Sequence, residues 1–168
     1  MHITNMNILF IGLGNIGLRH FESICDSKKQ YNCYLVDPNI QSIKKKINQF
    51  NYIHKIELSK NINLKEKKYE YAIISTNSNY RKKIIFSLID KFKIKNLLIE
   101  KIPFNNIVDY KSAIKKINNN RLNCFINYPR NYMSAYIDLK KKLFKKKPII
   151  LEVYGSDWSI QIKKNETF

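Results

Sequence analysis

A chain of 168 residues is long enough for one ordinary domain and a little more. Its net charge of +18 invites a nucleic-acid reading, but 27 of the 31 basic residues are Lys, whereas base-edge and phosphate-fork recognition favours Arg, so specific nucleic-acid binding is set aside. Lys, Ile and Asn together make 76 of the residues, which points to A/T-rich coding as the source of the charge, and an attraction for anionic ligands remains whatever that source.

Strand-like and helix-like runs alternate along the chain. Residues 7–11 predict a first strand, with Ile8 to Ile11 as its apolar run. Residues 10–20 then read Phe-Ile-Gly-Leu-Gly-Asn-Ile-Gly-Leu-Arg-His, which puts Gly12, Gly14 and Gly17 in G-x-G-x-x-G register at the start of a helix over 15–27. A second strand over 32–36 ends at Asp37, 20 residues after Gly17. Each part of this layout has a physical role. Gly12 allows a tight turn, Gly14 lets backbone approach a pyrophosphate closely, and Gly17 lets the helix pack on the strand. The helix N-terminus at Asn15 and Ile16 offers N–H groups and a positive dipole end to phosphates. Asp37 is placed to accept from both ribose hydroxyls and to repel a 2′-phosphate, so NAD is expected in preference to NADP.

Residues 40–50 predict a helix with Ile43, Ile47 and Phe50 on one face, and residues 52–57 a weaker strand. Lys60 to Lys68 reads as a loop. Tyr71 to Ser75 is a fourth strand, apolar enough to be buried on both faces. A helix over 80–92 aligns Ile84, Ile85, Leu88, Ile89 and Phe92; a fifth strand runs from Leu97 to Glu100; a helix over 105–118 groups Ile107, Tyr110, Ile114 and Ile117. Asn118-Asn119-Asn120 ends it, and Leu122 to Ile126 is a sixth strand. This alternation demands a mostly parallel sheet with helices on both faces, an α/β doubly wound or Rossmann sheet, over residues 1–126. Residues 127–158 then predict the first helix, with Met133, Tyr136, Ile137, Leu143 and Phe144 on its apolar face, and the first strand, Ile149 to Gly155, of an incomplete α+β second domain. Residues 159–168 are expected to be a disordered tail. The exposed strand at 149–155 and the unpaired apolar face of 133–144 predict aggregation or pairing with another copy, a homo-oligomer.

Cys25, Cys33 and Cys124 are odd in number, widely spaced and without a C-x-x-C pair, so no metal site or disulfide framework is expected; Cys33 and Cys124 read as core. No signal peptide stands out, and no run approaches the roughly 20 apolar residues of a membrane span, so a cytoplasmic protein with no membrane partner is expected. His20 is expected to pack or bond locally, and His2 and His54 to be surface or incidental.

Four places resemble the glucose-fructose oxidoreductase, inositol dehydrogenase and rhizopine-catabolism (Gfo/Idh/MocA) group, over residues 6–160. They are the glycine loop with Arg19-His20; Ile74-Ser75-Thr76-Asn77, where the group commonly reads T-P-x-x-x-H; Ile99-Glu100-Lys101, similar to its E-K-P; and Asn127-Tyr128-Pro129-Arg130, similar to its N-Y-x-R. Ligands of open α/β sheets bind beyond the carboxyl ends of strands, where Ser75, Thr76, Asn77, Glu100 and Lys101 all fall. The resemblance implies an NAD-dependent oxidoreductase that transfers hydride between nicotinamide and a carbinol carbon of a sugar or nucleotide sugar, with a surface-glycan role. It implies Lys101 as the catalytic group, hydrogen-bonded to the reacting oxygen and, if buried, able to take part in proton transfer, with Glu100 orienting it. Arg19, Arg81 and Arg130 are candidate substrate contacts, Arg81 toward a phosphate or sugar acid or as a cap on the pocket.

The departures from the pattern are specific. Ile102 replaces the proline after the lysine, with Pro103 one place later; Asn77 replaces another proline; Arg81 stands where a histidine is usual. Val153 to Trp158 resembles the second domain's first strand and its exit, but the stretch that carries the group's catalytic histidine, expected near Lys163, reads Lys-Lys-Asn-Glu-Thr-Phe. A truncated or frameshifted member, or a fragment of a longer chain, is therefore expected. A catalytically impaired nucleotide-binding remnant is the competing reading, which residual activity dependent on Lys101 would exclude. A basic nucleic-acid binder is a third, which steep salt dependence of sequence-indifferent DNA binding would support.

Overall fold

The computed structural model describes residues 3–143, with side chains from residue 6 to residue 142 except at 130 and 131. Six strands form one sheet: β1 (Ile3–Ile11), β2 (Gln30–Val36), β3 (Lys55–Ser59), β4 (Lys68–Ile74), β5 (Lys93–Glu100) and β6 (Asn123–Asn127). Their spatial order is β3-β2-β1-β4-β5-β6, and every pair is parallel. Four helices connect them: α1 (Asn15–Cys25), α2 (Ile40–Ile47), α3 (Ser78–Lys91) and α4 (Ile107–Asn119). This is the doubly wound sheet that the alternation of elements requires. The strand order reverses between β1 and β4, so a crevice opens beyond their carboxyl ends. The register lines those ends up, with Ile11 opposite both Val36 and Ile74, and Ile99 opposite Ile74 and Ile126.

Period-two alternation along β1 splits the core into two layers. Leu9 and Ile11 join Ala72, Ile74, Ile85, Leu88, Leu97 and Ile99 beneath α3 and α4. Ile8 and Phe10 face α1 and α2, where the Phe21 ring meets the edges of Phe10, Phe50 and Tyr52 at 5.7–5.9 Å. The apolar spacing of each helix aims it at its layer, and side-chain caps start two of them. Asn77 accepts from the Asn79 N–H at 2.9 Å, and Asn106 from the Asp109 N–H at 2.8 Å. Lys82 Nζ, 2.7 Å from Asp109 Oδ1, ties α3 to the start of α4.

Several boundaries and burials differ from the sequence expectation. The first two helices end earlier, at Cys25 and Ile47, and the third strand begins later, at Lys55. The fourth strand is not buried on both faces: Tyr71 is 42% exposed. Tyr71 and Ile73 lie in register with Asn96 and Leu98 and, through them, with Asn123 and Phe125, on the face where α1 and α2 cover only the β1–β3 half. Phe125 is exposed for the same reason. Cys124 is exposed on β6, the last strand of the sheet among the described residues, while Cys33 on β2 is buried. On α4 the buried stripe is Ala113 and Ile117 with half-buried Tyr110, and Ile107 and Ile114 face solvent, since a helix above the sheet edge buries only a narrow face.

The chain divides into two compact units, Met1–Asn127 and Tyr128–Phe168. In the second, a 3-10 turn (Pro129–Tyr132) leads into α5 (Ser134–Leu143). The side chains of Met133, Tyr136 and Ile137 are exposed. His2, Phe144, the strand expected over 149–155, the resemblance at Val153 to Trp158, the stretch from Lys163 and the tail 159–168 lie outside the described residues. Among the described residues no helix is long and apolar enough to cross a membrane, and no cluster of His, Cys, Asp and Glu suits a metal ion.

Candidate functional site at the carboxyl ends of the strands

The glycine loop is built by close backbone approach. Gly12 has a φ of +83°, its N–H donates to Val36 O at 3.0 Å, and a Cβ there would lie 2.9 Å from the Thr76 amide nitrogen. Only glycine meets both demands. At Gly17 a Cβ would fall 1.9 Å from Gly12 O, so the helix packs against the turn through a missing side chain. Gly14 differs: a Cβ there would have nothing within 4 Å. Gly14, Asn15 and Ile16 are exposed, and no side chain caps the amino end of α1. The helix thus starts with open N–H groups at the crevice where the strand order reverses, the electrostatic arrangement that takes a phosphate.

Asp37 ends β2 beside this loop and is 9% exposed. Its Oδ2 accepts the Leu13 N–H at 2.7 Å and its Oδ1 the Asn39 N–H at 2.8 Å. The carboxylate expected to serve only a ribose also pins the glycine loop. Each oxygen keeps a second acceptor direction for hydroxyls. A cavity of about 430 Å³ opens next to it, walled by Val36, Pro38, Ile62, Thr76, Tyr80 and Ile84. Of these, Pro38, Ile62 and Tyr80 escaped the sequence reading, although Pro38 directly follows Asp37. The Ser75 Oγ and Thr76 Oγ1 are buried without a hydrogen-bond partner among the described residues, on neighbouring residues of a strand-end turn that touches Gly12. Asn77 uses its side-chain oxygen as the α3 cap.

At the end of β5, Lys101 is exposed, and its ammonium has no partner among the described residues. The Lys101–Ile102 peptide bond is cis. The Glu100 carboxylate makes no hydrogen bond to Lys101 and is held instead by other groups. His20 Nε2 lies 2.6 Å from Glu100 Oε1, and Asn127 Nδ2 donates to the same oxygen at 2.5 Å. His20 therefore bonds across 80 residues, to a carboxylate at the end of β5, rather than locally. Arg81 is 4% exposed and turned inward. Its guanidinium donates to the carbonyls of Thr76, Glu100, Ile102 and Pro103, so it meets backbone and not a phosphate or sugar acid. Burial pulls its pKa below the ordinary arginine range, with Glu100 opposing that pull. Arg19 pairs at 3.8 Å with Glu22 on the exposed surface of α1, and the Arg130 side chain lies outside the described set. His54 is buried, not superficial: its Nδ1 accepts the Tyr31 N–H at 3.3 Å, which leaves Nε2 to donate to Ile24 O at 2.8 Å.

No family model matches the chain, and no curated protein matches it. Solved structures do match. Apo scyllo-inositol dehydrogenase from Lactobacillus casei aligns with a TM-score of 0.65 at 14% identity, over 84% of this chain and 41% of its own. The WlbA dehydrogenase from Chromobacterium violaceum, solved with NADH and UDP-GlcNAcA, gives 0.64 at 15% identity, over 84% and 40%. A variant of KijD10, a 3-ketoreductase from Actinomadura kijaniata solved with TDP-benzene and NADP, gives 0.66 at 10% identity, over 84% and 42%. The chain has the fold of dehydrogenases of the type its motifs resemble, and spans about two-fifths of the length of these structures.

Proposed function

We propose that this chain binds NAD and forms the cofactor-binding part of an oxidoreductase of the Gfo/Idh/MocA type that acts on a sugar or nucleotide sugar. The observation that carries the reading is the cradle at the switch point: an uncapped helix start, an open side at Gly14, and Asp37 fixed beside it. The residues fit a dinucleotide. The α1 N–H groups face one phosphate group, Asp37 keeps acceptor capacity for ribose hydroxyls, and the cavity behind Pro38 and Tyr80 suits a flat base. The orphaned Ser75 and Thr76 hydroxyls gain partners from a ligand laid over the β4 end. When bound, the nicotinamide exchanges hydride with a carbinol carbon of the substrate. Lys101 supplies a donor to the reacting oxygen and stabilises charge developing there. Its exposed, unpartnered ammonium supports that role. The reading extends to a cytoplasmic setting and to surface-glycan biosynthesis, and the neighbour solved with UDP-GlcNAcA supports the substrate class.

Calorimetric titration with NADH and NADPH tests it. NADH is expected to bind more tightly, and Asp37→Ala to weaken it by about tenfold or more, since the change removes a charged hydrogen-bond partner and releases the loop amides. Tighter binding of NADPH would overturn the choice of cofactor. A folded chain that binds neither would overturn the whole reading.

A further inference from the structure

Arg81 lies in the first turn of α3, with its side chain driven into the protein. Its guanidinium donates to four carbonyl oxygens. One belongs to Thr76, just past β4; the others belong to Glu100 at 2.6 Å, Ile102, and Pro103 at 3.3 Å, along the chain leaving β5. These residues lie at or beyond the end of the ladder, where the sheet no longer supplies donors, and buried carbonyls need donors from elsewhere. A planar fork of N–H groups meets several at once in fixed directions, which a lysine ammonium does not. The cost is a buried cation with, among the described residues, no carboxylate in hydrogen-bond contact and no partner for its Nε. A hydrophobic side chain would fill this volume without that cost. What only the guanidinium supplies is a rigid link between two strand ends. One touches Gly12 through Thr76; the other carries Lys101.

We propose that Arg81 is a positioning residue: by gathering the carbonyls of Thr76, Glu100, Ile102 and Pro103 it fixes the turn bearing Lys101 against the place of the nicotinamide ring in the cofactor crevice. The inference rests on the cofactor reading above, and it gives Arg81 a place in the site without contact to substrate.

The test compares the full chain with Arg81→Met and Arg81→Lys. NADH and ADP-ribose affinities are measured by calorimetry, and backbone hydrogen exchange by mass spectrometry. ADP-ribose keeps both riboses and both phosphates and lacks only the nicotinamide ring, so it reports the glycine loop, Asp37 and the ribose contacts without the ring's own site. Arg81→Met is expected to weaken NADH by about tenfold while leaving ADP-ribose within about twofold. Exchange is expected to rise in residues 101–105 and to stay unchanged in β1. Arg81→Lys, which keeps one cationic donor, is expected to fall between, and it carries the comparison alone if the methionine variant does not fold. Equal weakening of both ligands, or faster exchange throughout β1 and β4, would show general support of the fold and overturn the proposal. Unchanged NADH affinity would overturn it too. A wild-type chain that binds neither ligand would overturn the cofactor reading first, a result distinct from any effect of Arg81, and the positioning role would go with it.

Discussion

Gly14 and Gly17 stand three residues apart in one motif, yet their missing side chains do different things. Gly17 has no room, since its Cβ would meet the backbone oxygen of Gly12 at 1.9 Å. Gly14 has room toward the crevice and a backbone, φ −63° and ψ −167°, that alanine adopts without strain. Gly17→Ala is therefore expected to destabilise the protein by about 1–3 kcal/mol, read as a lower urea midpoint, because backbone on both sides must shift. Gly14→Ala should leave stability within about 0.5 kcal/mol. It should still weaken NADH by about tenfold or more, because the new methyl stands where a phosphate would lie. Wild-type NADH affinity in Gly14→Ala would show that no phosphate approaches there.

At the scale of elements, two cysteines on two strands show what position in a sheet decides. Cys33 sits on β2 with neighbours on both sides and under α2, and burial pushes its thiol up to about 12 from 9.0. The folded chain therefore holds this proton over a range in which the unfolded chain has released it. With fewer protons bound in the unfolded state, stability falls as pH rises from about 9 toward about 12, with a slope approaching about 1.4 kcal/mol per pH unit for one site. Cys33→Ala lacks that slope. Urea unfolding of both proteins between pH 8 and 11 should show the wild type losing ground relative to the variant; parallel curves would show that the thiol is not held from water. Cys124 reads the same in sequence, in an equally apolar run, and is exposed on β6, which has no outer neighbour among the described residues. Sequence periodicity gives a strand's character but not its rank in the sheet. The same limit explains Tyr71, whose exposure depends on where α1 and α2 end their cover. The glycine loop and the alternation of strands and helices were legible because local spacing encodes them. The Arg81 clamp, the His20–Glu100–Asn127 cluster and the double use of Asp37 were not, since each joins groups that only the folded sheet brings together.

Over the whole molecule, 31 basic residues face 13 acidic ones. Among the described residues only four pairs of opposite sign come within contact distance, one of them through a histidine. Most cations therefore meet other cations across solvent, and repulsion is the larger long-range term opposing the compact state. Added salt screens both signs, but with so few close attractions the repulsion has more to lose. The screening length falls from about 30 Å at 0.01 M to about 8 Å at 0.15 M. NaCl over this interval is expected to raise Tm by a few degrees, about the shift of 1 kcal/mol for a domain of this size. The same screening acts oppositely on a bound dinucleotide, whose phosphates the positive field attracts, so NADH association should slow over the interval in which the fold gains stability. Stopped-flow binding alongside thermal melts reads both in one salt series. If both fall together, the described ion pairs hold the fold more strongly than the excess charge opposes it.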